Sequence, residues 1–117
     1  MKRTDSLRRK KDFRYTYRAG KSSGGRLCSM VYARNHGQPP KIGFSVSKKI
    51  GNSVTRNRAK RRMREALTPL IPSIKGGVNI IFIARDAIVE APFLNIRDGM
   101  RALLERAELL KPGDPNV

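Results

Sequence analysis

Apolar residues recur along the chain at the spacing of strands in three places. Residues 41–48 alternate between apolar side chains and small or polar ones, and this two-residue period predicts a half-buried strand. Residues 27–34 include Val31 and Tyr32 and read as a second strand. Residues 78–84 are apolar almost throughout, which is typical of a strand in the middle of a sheet. The pattern therefore predicts at least three strands.

Three other segments have apolar residues three and four positions apart, the spacing of amphipathic helices. We expect helices over residues 10–19 and 54–70, and a last helix that opens at Pro92. The apolar stripe of the second helix consists of Ala59, Met63, Ala66, Leu67 and Leu70, and that of the third of Phe93, Ile96, Met100, Leu103, Leu104 and Ala107. These stripes should pack against the sheet.

The 117 residues of the chain are enough for one compact domain, which we place at residues 10–110. Residues 1–9 are polar and basic without periodicity, and they predict a flexible arm. Residues 111–117 contain two prolines and a glycine, and they predict a frayed tail. No apolar run approaches the length that spans a bilayer, so we expect a cytoplasmic protein that does not contact membranes.

Charge is distributed unevenly along the chain. The 26 lysines and arginines outnumber the 9 acidic residues, which gives a net charge of +17. Residues 1–64 contain 20 of the basic residues and 2 of the acidic ones, whereas residues 65–117 contain 6 basic and 7 acidic residues. This asymmetry predicts a localised surface for a polyanion.

Side chains that commonly carry catalysis are scarce. Cys28 is the only cysteine and His36 the only histidine, so neither an internal disulfide nor a closed zinc site is expected. The carboxylates are scattered, and no glycine-rich phosphate loop is present. We expect no catalytic residue and no metal ligand on the protein itself.

The segment 48–64 contains eight basic residues and no acidic one. A helical projection places Asn57 and Arg61 on a cationic side, away from the apolar stripe. Such a side matches a nucleic-acid phosphate backbone, and a neutral Asn57 could form a hydrogen bond with a base edge or a sugar. An ordinary solvated helix face is the alternative.

Aromatic residues cluster in the first helix. Phe13, Tyr15 and Tyr17 alternate there with basic residues, a pattern that proteins use to stack unpaired bases. The alternative is that Phe13 and Tyr17 pack the helix on the sheet, and both roles are compatible if they form the wall of a groove. The small-residue face of the strand 41–48 would leave room beside them.

The chain resembles the protein subunits of bacterial ribonuclease P. The resemblance rests on KIGFSVSKKIGNSVTRNRAKRRMRE at residues 41–65, with KKDFRYTYRAGKS before it and NIIFIARDA after it. The Arg-Asn-Arg triplet at residues 56–58, followed by two further basic clusters, is the most specific part.

The resemblance implies an α+β fold with a mostly antiparallel central sheet and three helices. The implied fold is similar to a ribosomal protein fold that has a left-handed strand–helix–strand crossover. It also implies a subunit of an endoribonuclease in which the RNA subunit, with Mg²⁺ held mainly by that RNA, removes the 5′ leader from precursor tRNA. The expected partners are the ribonuclease P RNA and precursor tRNA, with no organic cofactor, no DNA and no membrane. A general structural RNA-binding protein of the ribosomal type is the alternative function.

By the same resemblance, two groups of residues would bind RNA. Contacts to the catalytic RNA are expected from Lys48, Lys49, Arg56, Asn57, Arg58, Lys60, Arg61 and Arg64. Contacts to the single-stranded leader are expected from Phe13, Tyr17, Ser45 and Ser47.

Overall fold

A computed structural model of the chain describes residues 1–112, which contain three α-helices and four strands. In chain order the elements are α1 (Lys10–Ala19), β1 (Lys21–Ser23), β2 (Cys28–Arg34), β3 (Lys41–Ser45), α2 (Ser53–Leu67), β4 (Val78–Ala84) and α3 (Phe93–Arg106). Short 3₁₀ turns lie at Arg3–Asp5, Lys48–Ile50, Thr68–Ser73 and Asp86–Ile88. The expected α+β class with three helices is confirmed.

The four strands form one sheet in the order β1-β2-β4-β3. β2 is antiparallel to both β1 and β4, as expected, but β3 is parallel to β4, so the sheet is mixed. The parallel pair arises because α2 connects β3 to β4 and returns the chain to the same end of the sheet before β4 starts. The last strand in sequence is therefore a central strand in space.

The main core lies between one face of this sheet and the helices α2 and α3. Alternate residues of three strands point into it, including the fully buried Met30, Ile42 and Phe82. Phe44 stacks on Phe82 with ring centroids 6.2 Å apart. The helix α1 covers part of the opposite face, so the sheet is packed on both sides.

Helix α2 begins and ends at identifiable signals. The Asn52 side-chain oxygen accepts a hydrogen bond from the Thr55 amide at 2.9 Å and so caps the first turn. The helix ends at Leu67, three residues earlier than predicted, since Pro69 has no amide hydrogen to continue the ladder. Leu70 lies in the following 3₁₀ turn and is buried in the core from there.

Two strand boundaries differ from the sequence-based prediction, and one strand was not predicted. The strand expected at 41–48 ends at Ser45, where its pairing with β4 ends, and the strand expected from residue 27 begins at Cys28. The additional strand, β1, has the sequence KSS and carries no apolar signal. Its position in the sheet comes from pairing with β2 alone.

The terminal segments also differ from expectation where they are described. Residues 1–9, expected as a flexible arm, lie along β3 because Leu7 is apolar and buried, and the Leu7 amide donates to the Ile42 carbonyl at 2.8 Å. At the other end the Lys111 amide donates to the Ser73 carbonyl at 2.7 Å. The rest of the expected frayed tail, residues 113–117, lies outside the described residues. None of the helices in residues 1–112 is long and apolar enough to cross a membrane.

Candidate nucleic-acid interface

Helix α2 presents a continuous polar and cationic surface on the side away from the core. Its apolar stripe is buried, so the side chains on the opposite side of the helix face outward. Together with Val54 they surround a shallow depression of about 530 Å³. We name this surface the basic ridge, and it consists of Asn57, Arg58, Lys60, Arg61 and Arg64.

The remaining residues predicted to bind the catalytic RNA lie at the start of the same helix. Arg56 is partly buried and its Nη2 donates to the Ser53 hydroxyl at 3.2 Å. Lys48 and Lys49 are exposed in the 3₁₀ turn that precedes α2. All eight predicted residues therefore belong to the turn and helix that follow β3.

The basic ridge is not neutralised by the protein. In residues 1–112 no carboxylate lies within ion-pair distance of a ridge side chain, and Arg97 with Asp98, at 3.3 Å, forms an ion pair on α3 instead. Neighbouring like charges on one helix repel by a few tenths of a kcal/mol per pair, about 0.2–0.5 kcal/mol. The ridge thus maintains a concentrated positive potential that favours an anionic partner.

Arg62 belongs to the same basic run but points elsewhere. Its guanidinium donates to the Ile88 carbonyl at 3.3 Å and also to the Ala91 carbonyl. These carbonyls lie in the segment between β4 and α3, so Arg62 connects α2 to the approach to α3. It is partly buried there and does not line the depression of the ridge.

A second candidate surface lies where Phe13 of α1 meets β3. A Cβ atom built on Gly43 would be 2.6 Å from the Phe13 Cζ atom, so only glycine lets the ring lie this close to the strand. Ser45 follows two residues later and shares the same face of the strand. Tyr17 is one helical turn after Phe13 and is 44% exposed. These four residues define what we name the groove.

Two parts of the sequence-based picture of the groove change. Ser47 is exposed, but it lies beyond the end of β3, just before the turn Lys48–Ile50, so it is not part of the strand face as expected. Gly43 was not among the predicted site residues, although its place in the small-residue alternation pointed to it. The close contact with Phe13 explains why the strand has its smallest residue at position 43.

The aromatic cluster of the first helix is divided between two flanks of α1. Tyr15 lies on the flank opposite to Phe13 and Tyr17, and its hydroxyl donates to the Arg34 carbonyl at 3.0 Å. The bonding of Tyr15 at the end of β2 removes it from the groove.

The lone cysteine and histidine lie in unrelated places. Cys28 is 2% exposed, and burial raises the pKa of its thiol to about 11, so the nucleophilic thiolate is strongly disfavoured. His36 is exposed in a turn with a positive φ of 63°. No group of three or more histidine, cysteine or acidic residues within residues 1–112 has an arrangement that could hold a metal ion.

Comparison with known proteins agrees with this geometry. The family model described as Ribonuclease P matches residues 1–108. The ribonuclease P protein component of Symbiobacterium thermophilum is 38% identical over 112 residues, covering 95% of this chain and 97% of that protein. The corresponding protein of Thermoanaerobacter sp. strain X514 is 40% identical over 103 residues, covering 88% and 89%.

Solved structures with the same fold include RNase P proteins from two organisms. A mutant of the Staphylococcus aureus RNase P protein has a TM-score of 0.84 and 30% identity, covering 92% of this chain and 91% of that chain. The Thermotoga maritima RNase P protein has a TM-score of 0.78 and 27% identity, covering 86% and 96%. By sequence and by structure, then, the chain belongs to the ribonuclease P protein family.

Proposed function

We propose that this chain is the protein subunit of a ribonuclease P ribonucleoprotein that removes the 5′ leader from precursor tRNA. Family membership supports the subunit role, and the relatives are named as protein components of that enzyme. The observation that carries the proposal is the basic ridge, a cationic surface without carboxylate partners within residues 1–112. The RNA subunit performs the cleavage, and the protein acts by binding.

The basic ridge binds the catalytic RNA. Arginine side chains grip phosphate oxygens in pairs, and each neutralised phosphate releases condensed counterions, which favours binding. Asn57 adds a neutral donor and acceptor among the cations, suited to a base edge or a ribose hydroxyl. Because the apolar side of α2 is anchored in the core, the backbone of the ridge is fixed before binding, and only its side chains lose entropy when RNA binds.

The groove binds the single-stranded leader. Phe13 supplies a ring fixed against Gly43, and Tyr17 supplies a second ring that is largely open to solvent. Unpaired bases stack on such rings whatever their sequence, which suits leaders of different sequence. The small side chain of Ser45 leaves space for the strand to cross the sheet.

The combined effect is to bring two polyanions together. The catalytic RNA and the precursor repel each other, and a cationic protein between them screens this repulsion and raises the affinity for the precursor. Mg²⁺, which stabilises the developing charge of phosphodiester cleavage, is assigned to the RNA subunit. The residues described here offer no cluster suited to hold it, so no step is assigned to a metal on this chain.

Reconstitution tests this proposal directly. The full chain is mixed with a bacterial ribonuclease P RNA at a Mg²⁺ concentration too low for the RNA to cleave alone, and cleavage of precursor tRNA is followed. We expect the chain to restore cleavage at the mature 5′ end, and to cleave nothing without the RNA. Failure to restore cleavage would favour a general RNA-binding role, and cleavage by the chain alone would show a protein nuclease.

A further inference from the structure

The flank of α1 opposite to the groove borders two recesses that the proposed function does not use. The first, of about 600 Å³, lies between the start of α1, the segment 6–9 and the loop 35–38. The second, of about 530 Å³, lies between the end of α1, the end of β2 and the turn 75–77. Tyr15 lines both recesses and separates them.

Both recesses are rich in positive charge. The first has a single acidic side chain, Asp12, and the second has none. None of their basic residues forms an ion pair within residues 1–112, although the Lys41 ammonium donates to the Thr4 carbonyl. The basic side chains are Arg8, Arg9, Lys11 and Lys41 in the first recess and Lys21, Arg34 and Lys75 in the second.

Hydrogen bonds hold the aromatic ring and the first recess in place. The Tyr15 hydroxyl donates to the Arg34 carbonyl at 3.0 Å, which fixes the ring between the recesses. The buried Asn35 side chain donates to the Asn79 side-chain oxygen at 3.1 Å and accepts from the Gln38 amide at 3.1 Å. The loop 35–38 is thereby tied to the start of β4. The surface exists before any ligand arrives, which lowers the entropic cost of binding.

We propose that these two recesses and Tyr15 form a second binding surface for single-stranded RNA, separate from the groove. A base stacks on the Tyr15 ring, and the phosphates on either side of it lie in the two cationic recesses. Alternation of an aromatic face with flanking cations is the arrangement that binds unpaired nucleic acid without reading its sequence. The choice of RNA as the ligand rests on the proposed function.

A lysine-protection experiment tests the surface. The full chain is acetylated with and without a short oligouridine RNA at low salt, and the modification rate of each lysine is measured by mass spectrometry. We expect at least a fivefold slower reaction of Lys11 and Lys75 in the presence of the RNA. Lys111 is exposed outside the recesses and serves as the reference that should not change.

Variants at Tyr15 link this protection to stacking. Tyr15→Ala should raise the RNA concentration needed for half-protection of Lys11 and Lys75 by about tenfold, the loss expected when one stacked base is removed. Tyr15→Phe keeps the ring and should retain most of the protection. A Lys11→Gln, Lys75→Gln double variant, at two exposed positions, should weaken oligouridine binding, whereas Arg97→Gln on α3 removes one charge and should not.

Unchanged reaction rates at Lys11 and Lys75 would contradict the second surface. If Lys11 and Lys75 react at the same rate with and without RNA while Lys60 of the basic ridge is protected, the second surface does not exist. The proposed function would stand in that case, since it depends on the ridge and the groove. If the chain failed to restore cleavage but Lys11 and Lys75 were protected by RNA, the second surface would stand and the proposed function would not.

Discussion

At the scale of single residues, the groove depends on what is absent from one position. Gly43 has no side chain, and the Phe13 ring occupies the space that a Cβ atom would fill. The alternation of small residues in β3 is therefore a steric requirement of α1. A groove wall of this kind needs both partners, because the ring defines the edge of the groove and the glycine admits the ring.

Replacing the ring should affect binding of the leader selectively. We expect Phe13→Ala to weaken binding of precursor tRNA by about tenfold in the assembled enzyme, since one stacked base contributes roughly 1–3 kcal/mol. Binding of leaderless tRNA should change much less. Dissociation constants for the two RNAs, measured with wild-type and variant protein, make the comparison. Equal losses of affinity for both RNAs would show that the leader does not bind in the groove.

The buried thiol gives a second prediction at this scale. Burial raises the pKa of Cys28 from its ordinary value of 9.0 to about 11, so near pH 8 the thiolate fraction falls by about 100-fold. Alkylation by iodoacetamide should be correspondingly slow in the folded chain and rapid in denaturant. The raised pKa also makes the contribution of Cys28 to stability complete below pH 9, and that contribution is lost as the pH rises towards 11. Rapid alkylation of the native chain would contradict the burial.

At the scale of elements, α2 uses basic residues for two different purposes. The ridge residues face outward without protein partners, whereas Arg62 donates to the Ile88 and Ala91 carbonyls. Charge-assisted hydrogen bonds of this kind contribute about 1.5–3 kcal/mol each, and unpaired buried carbonyls are costly. Different basic residues of the same helix therefore serve RNA binding and the stability of the fold.

Two single substitutions should reveal this separation. We expect Arg62→Ala to lower the free energy of unfolding by about 1–3 kcal/mol, because the Ala91 carbonyl loses the guanidinium donor and the Ile88 carbonyl keeps only the Ala91 amide. Arg61→Ala, one position earlier on the exposed ridge, should leave the unfolding free energy nearly unchanged and weaken binding to the RNA subunit. Urea unfolding and RNA titration of both variants provide the test. If Arg62→Ala left stability intact, the link between α2 and the approach to α3 would be unimportant.

The sequence predicted the elements better than their contacts. Periodicity located α1 and β4 at their observed bounds, and a cationic side of α2 followed from its apolar stripe. The hydrogen-bond partners of Arg62 and Tyr15 and the close approach of Phe13 to Gly43 join residues distant in the chain. No local pattern encodes such partners. β1 was missed for a related reason, since only its neighbour β2 makes it a strand.

At the scale of the whole molecule, charge is segregated. The first 64 residues contain 20 basic and 2 acidic side chains, and the remainder is close to neutral. Folding gives the acidic residues of the second half no ion pair with the ridge within residues 1–112. The charge of the chain is thus concentrated in its first 64 residues, and its field should steer the molecule towards RNA.

Binding to the RNA subunit should therefore weaken steeply as salt is added. For each phosphate neutralised, the slope of log K against log salt concentration is about −0.9 for duplex RNA and about −0.7 for single strands, by analogy with DNA. Removing one ridge cation, as in Arg61→Gln, should make the slope less steep by roughly the contribution of one phosphate contact. Titrations at several KCl concentrations measure it. A flat dependence would show that the cations are not in contact with phosphate.

The position of β4 has a consequence for the newly made protein. This strand is the last to be synthesised, yet it inserts between β2 and β3 and completes the sheet. A chain still emerging from the ribosome already carries nearly all of its positive charge but lacks β4 and α3, and α3 is the helix that packs against α2. Until residues 78–106 have been made, we expect it to attract nucleic acid through charge alone, and shape-specific recognition to begin once β4 and α3 have packed.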